Sequence, residues 1–204
     1  MSIHALFLNC SLKKSSEDES NTEALIKEVS SRLEEKKVTT EVVRIADYQI
    51  GYGIVDDAGD GDQWPTIIEK IKAADIVVIG TPLWLGEKSS IATKVMERLY
   101  GSTGITNEKG QPFLYNKVGG VVVTGNEDGA KNAISSIVFG LSHIGLTIPP
   151  ATAAYWLGEA GPGPSFIEAE GHKHEFTMNQ VQTMVHHLHY FASLHQQHEI
   201  PVQE

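Results

Sequence analysis

The chain has 204 residues, 41% of them hydrophobic and 21% charged, a profile that excludes a globally disordered protein. Its formal net charge of -10, with no run of lysine or arginine, argues against nucleic acid or an anionic membrane surface as partner. Cys10 is the single cysteine, Met1 leads directly into a strand-like run and no apolar stretch approaches ~18 residues; the expectation is one domain over residues 1–204, cytoplasmic, neither secreted nor membrane-spanning.

Ile3 to Asn9 is apolar enough for a strand buried on both faces, and the polar, serine-rich stretch Cys10 to Ser20 follows it as a loop. Asn21 opens an amphipathic helix in which Ala24, Leu25, Val29 and Leu33 recur at three- and four-residue spacing. Thr39 to Ile45 is β-branched and strand-like. A glycine- and aspartate-rich excursion separates it from a short helix over Pro65 to Ala74, which opens on a proline whose missing N–H costs little there. Asp75 to Gly80 gives the most buried-looking strand, Ser89 to Tyr100 the next helix, and Lys117 to Thr124 a valine-rich strand. Gly129 to Ile144 returns to the helical period, Ala151 to Tyr155 is a short strand, and Asn179 to Gln197 is the closing helix.

Strands that alternate with helices pair in parallel through right-handed crossovers, so the expected fold class is α/β: a doubly wound sheet with helices on both faces. Ligands of such sheets gather beyond the carboxyl ends of the strands, where the strand order reverses. The loops after the first, third and fourth strands are therefore the places to search.

The first loop runs Asn9-Cys10-Ser11-Leu12-Lys13-Lys14-Ser15-Ser16, and Ser20-Asn21-Thr22 follows at a helix start. Hydroxyls beside unpaired backbone N–H groups suit a phosphate, while plain capping of the helix by Ser20 or Asn21 accounts for the same residues. Lys13 and Lys14 favour an anion; Glu17, Asp18 and Glu19 oppose one. The glycine-rich, lysine-bearing P-loop pattern is absent.

The third loop reads Gly80-Thr81-Pro82-Leu83-Trp84-Leu85-Gly86-Glu87-Lys88-Ser89-Ser90. Trp84 there can pack a planar tricyclic ring while amides around Pro82 and Gly86 meet its polar edge, or it can anchor the loop to the protein's own core. Ser89 and Ser90 read as helix caps. The fourth loop, Thr124-Gly125-Asn126-Glu127-Asp128-Gly129, has glycines that let backbone approach a flat ring and an asparagine that can read a polar edge; alone it is also an ordinary turn.

Together these loops resemble the NAD(P)H-dependent FMN reductase and flavodoxin-like family, above all through Thr81-Pro82-Leu83-Trp84-Leu85-Gly86. The resemblance spans most of the chain. It implies a five-stranded parallel sheet of order 2-1-3-4-5, with the FMN phosphate at Ser11, Lys13, Ser20, Asn21 and Thr22. Ribityl and ring contacts fall to Pro82, Leu83, Trp84, Leu85 and Gly86, and Gly125, Asn126, Glu127 and Gly129 line the other side of the ring. The long first loop with its acidic triplet departs from the compact phosphate loop of flavodoxins. The resemblance further implies NAD(P)H as co-substrate, a small-molecule electron acceptor and a homodimer or tetramer, for which an exposed apolar group of Leu83, Trp84 and Leu85 is suited.

Other features are set aside. Asp56 to Asp62 invites a calcium reading, yet Ile67 and Ile68 stand where that motif needs glutamate, leaving a solvated loop. His186, His187 and His189 lack completing ligands, read as a surface helix face, and give no metal site. Cys10 is either a reactive thiol beside the phosphate loop or packing. Gly158 to Pro164 is a rigid excursion that covers the flavin edge or meets another subunit. No side chain is assigned as catalytic, because hydride transfer to a flavin needs two rings held together rather than an acid or base. The functions in competition are an FMN-dependent NAD(P)H oxidoreductase acting on flavin, quinone or a related acceptor, a flavodoxin-type electron carrier without its own nicotinamide site, and a doubly wound domain that binds no flavin.

Overall fold

The computed structural model describes residues 2–202. Its strands are β1 (His4–Asn9), β2 (Thr39–Arg44), β3 (Ile76–Trp84), β4 (Glu87–Lys88), β5 (Val118–Gly125) and β6 (Ala153–Leu157). The helices are α1 (Asn21–Glu35), α2 (Trp64–Ala73), α3 (Ser90–Gly101), α4 (Ala130–His143) and α5 (Glu175–Gln197). Five strands pair in parallel in the order β2-β1-β3-β5-β6, and β4 adds a sixth, antiparallel to β3. Counting the long strands alone, this is the expected order 2-1-3-4-5.

Side chains of successive strand residues point to opposite faces, and the sheet is buried on both. Leu6, Leu8, Val77, Ile79, Val121 and Val123 face α2, α3 and α4, packing on Trp64, Ile67, Val95 and Ile137. Ala5, Phe7, Val78 and Val122 face α1 and α5, packing on Leu25, Ile26, Val29 and Met184. Burial of each large apolar side chain contributes about 1.5–3 kcal/mol, and the near-continuous valine and isoleucine runs reflect this double burial. Glycine is needed at Gly80, where a Cβ would stand 2.6 Å from Ile26 Cδ1; its absence lets α1 settle against β3.

Two boundaries differ from the sequence reading by four residues each. The third strand does not end at Gly80 but runs to Trp84, because Thr81 and Pro82 stay in register with Val123 and Thr124 of β5. It then turns through Leu85 and Gly86, both with positive φ (53 and 73), into β4. The last helix starts at Glu175 rather than Asn179, since the His174 ring accepts the Thr177 N–H at 3.4 Å, a cap outside the usual Ser/Thr/Asp/Asn set. Ser89 caps α3, as read from the sequence, by accepting the Ala92 N–H at 3.0 Å.

The aspartate-rich excursion has a buried organiser. Arg98 of α3 is fully buried, donates to the Asp62 carboxylate at 2.6 Å and to the Gly51 carbonyl at 2.9 Å, and so straps the excursion onto the sheet. Burial works against the charged form of Asp62, but N–H groups of Ala58, Gly51 and Trp64 together with Arg98 hold its pKa down at about 2.

Candidate functional site

A cavity of about 600 Å³ opens at the carboxyl ends of the central strands, where the order reverses between β1 and β3. One end of it is the start of α1. Ser20 caps that helix by accepting the Glu23 N–H at 3.1 Å, and Asn9 Nδ2 donates to the same hydroxyl at 3.4 Å. The N–H groups of Asn21 and Thr22, the first two helical positions, have no partner within the helix and are available to an anion. Thr22 itself is buried, its hydroxyl 2.9 Å from that of Thr124, and both line the cavity.

The first loop is held from behind. Arg44 pairs with Glu23 and donates to the carbonyls of Lys14 at 3.0 Å and Asp18 at 3.5 Å. Ser15 donates its N–H to Asp47 at 2.8 Å. Desolvation opposes the charged form of Asp47, but the Ser15 donors, Arg44 and Lys14 outweigh it and lower the carboxyl. Two members of the acidic triplet are used inside the loop, Glu17 accepting the Lys14 N–H and Asp18 pairing with Lys13 at 3.2 Å. Lys13 lines the cavity but its charge is already matched. Glu19 lines it as well.

The second wall is the β3–β4 hairpin. Trp84 faces the cavity 56% exposed, which rules out the alternative that it anchors the loop to the core. Leu83 is buried, so it does not belong to an exposed apolar group; it packs beneath Gly125, where a Cβ would stand 2.6 Å from Leu83 Cβ. Leu85, Gly86 and Gly129, assigned to the ring by resemblance, do not line the cavity. They form the hairpin turn and its seat: a Cβ on Gly129 would lie 2.5 Å from Gly86 Cα.

A third wall includes the Gly158 to Pro164 excursion, for which covering the flavin edge was one of two expectations, and adds residues missing from the sequence reading. Trp156, at the carboxyl end of β6, meets Phe166 edge-to-face at 5.6 Å, and both line the cavity with Gly161, Gly163, Ser165 and Glu168. Two asparagines hold this segment in place. Asn126 Nδ2 donates to the carbonyls of Gly163 at 2.9 Å and Pro164 at 2.8 Å, and Asn21 Oδ1 accepts the Ile167 N–H at 2.9 Å. The glycine-proline excursion therefore covers the cavity edge. The signal available in the sequence was the carboxyl-end rule itself, applied to the last strand as well as the others. Leu12 and Thr124 complete the lining.

Ser165 donates to Glu168 and holds its carboxyl below the usual range, so the mouth carries negative charge from Glu19 and Glu168. Cys10 is fully buried, its thiol 3.5 Å from the Leu8 carbonyl and pushed well above the ordinary value by burial; it packs and does not react. Among the described residues no group of three or more His, Cys, Asp or Glu is placed to hold a metal ion.

The donor set fits a ligand of two unlike halves. Helix N–H groups and hydroxyls at one end suit a phosphate and a hydroxylated chain, and the exposed indole of Trp84, with the edges of the buried Trp156 and Phe166, offers apolar surface for a planar ring.

A family described as NADPH-dependent FMN reductase matches residues 3–158. The chain is 38% identical over 194 residues to the 8-demethyl-8-aminoriboflavin-5'-phosphate synthase of Streptomyces davaonensis, covering 91% of this chain and 75% of that protein. The solved structure of RosB with bound 8-demethyl-8-formylriboflavin-5'-phosphate superposes with a TM-score of 0.88 at 36% identity, over 97% of this chain and 81% of that one. A protein of Mycobacterium bovis named divalent metal cation transporter MntH is 37% identical over 94% of this chain, which spans only 29% of that protein's length. Among the described residues no helix is long and apolar enough to cross a membrane. The chain belongs to the NADPH-dependent FMN reductase family.

Proposed function

We propose that the cavity at the α1 N-terminus holds FMN and that the protein takes electrons from NAD(P)H and passes them to free flavin, a quinone or a related small acceptor. The observation that carries this reading is the joining of free helix N–H groups at Asn21 and Thr22 to an aromatic wall of Trp84, Trp156 and Phe166 in one cavity. FMN would supply the hydride-accepting ring. The protein supplies position. Ser11, Ser20 and the helix N–H groups bind the phosphate, Pro82 and Gly125 let backbone approach the ring, and the segment Gly161 to Glu168 limits water at its edge. No charged side chain is required to move a proton at the reacting atoms.

Residues 1–204 act as one flavin-binding unit in this proposal, working in the cytoplasm. A homodimer or tetramer is its proposed assembly, supported by exposed Leu85 and Phe139, although Leu83 takes no part.

A specific observation favours a second reading. The chain is 36% identical to RosB, solved with bound 8-demethyl-8-formylriboflavin-5'-phosphate, and 38% identical to the 8-demethyl-8-aminoriboflavin-5'-phosphate synthase, against 10–14% for flavodoxin and NADH:FMN oxidoreductase structures. That identity supports a role in which a riboflavin 5'-phosphate is substrate, altered on its ring and released.

Anaerobic addition of NADPH or NADH to the FMN-loaded protein separates the readings. Bleaching of the flavin bands is expected. Bound flavin that stays oxidised points to a carrier, and a changed flavin mass after aerobic incubation points to ring modification. Absence of any flavin binding after reconstitution rejects the whole proposal.

A further inference from the structure

Trp84 reaches the cavity from the tip of a two-residue hairpin, and more than half of its surface is exposed, so little of the core fixes its orientation. The hairpin is instead gripped by Glu127, which also lines the cavity, and from outside the cavity by α4. Glu127 Oε1 accepts the Leu85 N–H at 2.8 Å. Asn132 Nδ2 donates to the Gly86 carbonyl at 3.0 Å and to Glu87 Oε1 at 2.7 Å. One turn further along α4, Lys88 Nζ donates to Ser136 Oγ at 2.6 Å. Asn132 and Ser136 are four residues apart and so share a face of α4, the face on which the hairpin lies. Gly129, with φ +105, brings the backbone of the α4 start against Gly86.

We propose that Asn132 is a positioning residue for the flavin: its carboxamide latches the Leu85-Gly86 turn to α4 and thereby sets where the Trp84 indole stands in the cavity. The inference rests on the flavin reading above. Asn132 does not line the cavity, so it acts through Trp84 alone. The chemistry is selective, because a single amide nitrogen serves two oxygens of adjacent residues. Aspartate has the same size and no donor. It would set a carboxylate against the Glu87 carboxylate and the Gly86 carbonyl, and push the turn away from the helix. The bonds are solvent-exposed, so their loss leaves the fold intact while releasing the tip.

The test is a double-mutant cycle on FMN binding, measured by equilibrium dialysis and by the visible spectrum of the bound flavin. The four proteins are wild type, Asn132→Asp, Trp84→Leu and the double variant, the leucine keeping an apolar side chain so that binding stays measurable. Asn132→Asp is expected to weaken FMN about tenfold in the wild-type background and to cost nothing further when Trp84 is already leucine. Unchanged affinity and spectrum in Asn132→Asp would overturn the proposal. An equal loss in both backgrounds would overturn it too, since Asn132 would then act without Trp84. If the aspartate variant melts early, Asn132→Ala removes the same donors without adding charge and is judged by the same criterion. Wild-type protein that binds no FMN defeats the flavin reading and this inference with it, whereas wild-type binding with an indifferent Asn132 defeats the latch alone.

Discussion

Asn21 Oδ1 accepts the backbone N–H of Ile167 at 2.9 Å, so the residue that opens helix α1 also pins the segment closing the cavity from the far side. Its amide oxygen is thus occupied by the protein, while its Nδ2 donors and backbone N–H face the proposed phosphate site. Asn21→Ala should loosen the wall at Phe166 and Glu168 while costing the fold about 1 kcal/mol or less, the worth of one exposed hydrogen bond. The expected readout is FMN affinity lowered about three- to tenfold with a near-normal melting temperature. An affinity equal to wild type would mean that the wall does not bear on the ligand.

The mouth of the cavity carries carboxylates beside the proposed phosphate site. Lys13 is matched by Asp18, whereas Glu19 and Glu168 face the cavity. Glu19→Gln and Glu168→Gln should each raise affinity for FMN, by about two- to fivefold at low ionic strength and less at high salt. Riboflavin, which lacks the phosphate, should respond little. Because Ser165 keeps Glu168 ionised below the usual range, the Glu168 effect should persist into mildly acidic solution. Titration of both flavins at two salt concentrations checks all three points. Equal gains for the two flavins would place the carboxylates away from the phosphate.

The contrast between these two walls marks how far the sequence could be read. Alternation of apolar strands and 3.6-residue helices made the doubly wound parallel sheet legible, since double burial leaves a direct imprint on β1, β3 and β5, while the strand order came from the family resemblance. The loops after β1, β3 and β5 were found by topology, and most of the residues named there do meet at the cavity. Leu85, Gly86 and Gly129 stand in the hairpin turn and its seat rather than in the cavity lining, because a tight turn and a ring contact call for the same residue types. Phe166 and Glu168 were missed because their placement depends on Asn21 and Asn126, residues far away in sequence that already had a local explanation as cap and turn. Arg98 and Asp62 were illegible for a like reason: a charged pair of two distant residues has no periodicity.

That pair should dominate the acid limb of stability. Asp62 has a folded pKa of about 2, below the ordinary aspartate value, so its contribution is present above pH ~4 and lost as pH falls towards 2. The loss through this window is expected to be about 2 kcal/mol. Asp62→Asn should flatten it. Arg98→Met, which leaves the carboxylate buried without its partner, should cost about 3–5 kcal/mol at neutral pH. Urea melts at pH 7, 4 and 2.5 on the three proteins check the assignment, and an unchanged acid limb in Asp62→Asn would assign it to other carboxylates.

Lys117 predicts the opposite limb. Its amine is buried at the start of β5, donating to the Lys72 carbonyl at 2.8 Å and the Ala74 carbonyl at 2.5 Å, and so closes the end of α2. Burial disfavours its charged form and lowers the pKa to about 8, with Asp75 opposing the shift. The unfolded chain, with an ordinary lysine, holds its proton up to about pH 10. Between pH 8 and 10 the unfolded state therefore binds more protons than the folded one, and stability rises with pH across that interval. The gain should be on the order of 2 kcal/mol. In Lys117→Met the rise should disappear, while stability at pH 7 falls because the two carbonyls lose their donor. Denaturant midpoints for both proteins at pH 7, 8.5 and 10 decide it: parallel pH dependences would show that Lys117 enters the folded state with an ordinary affinity for its proton.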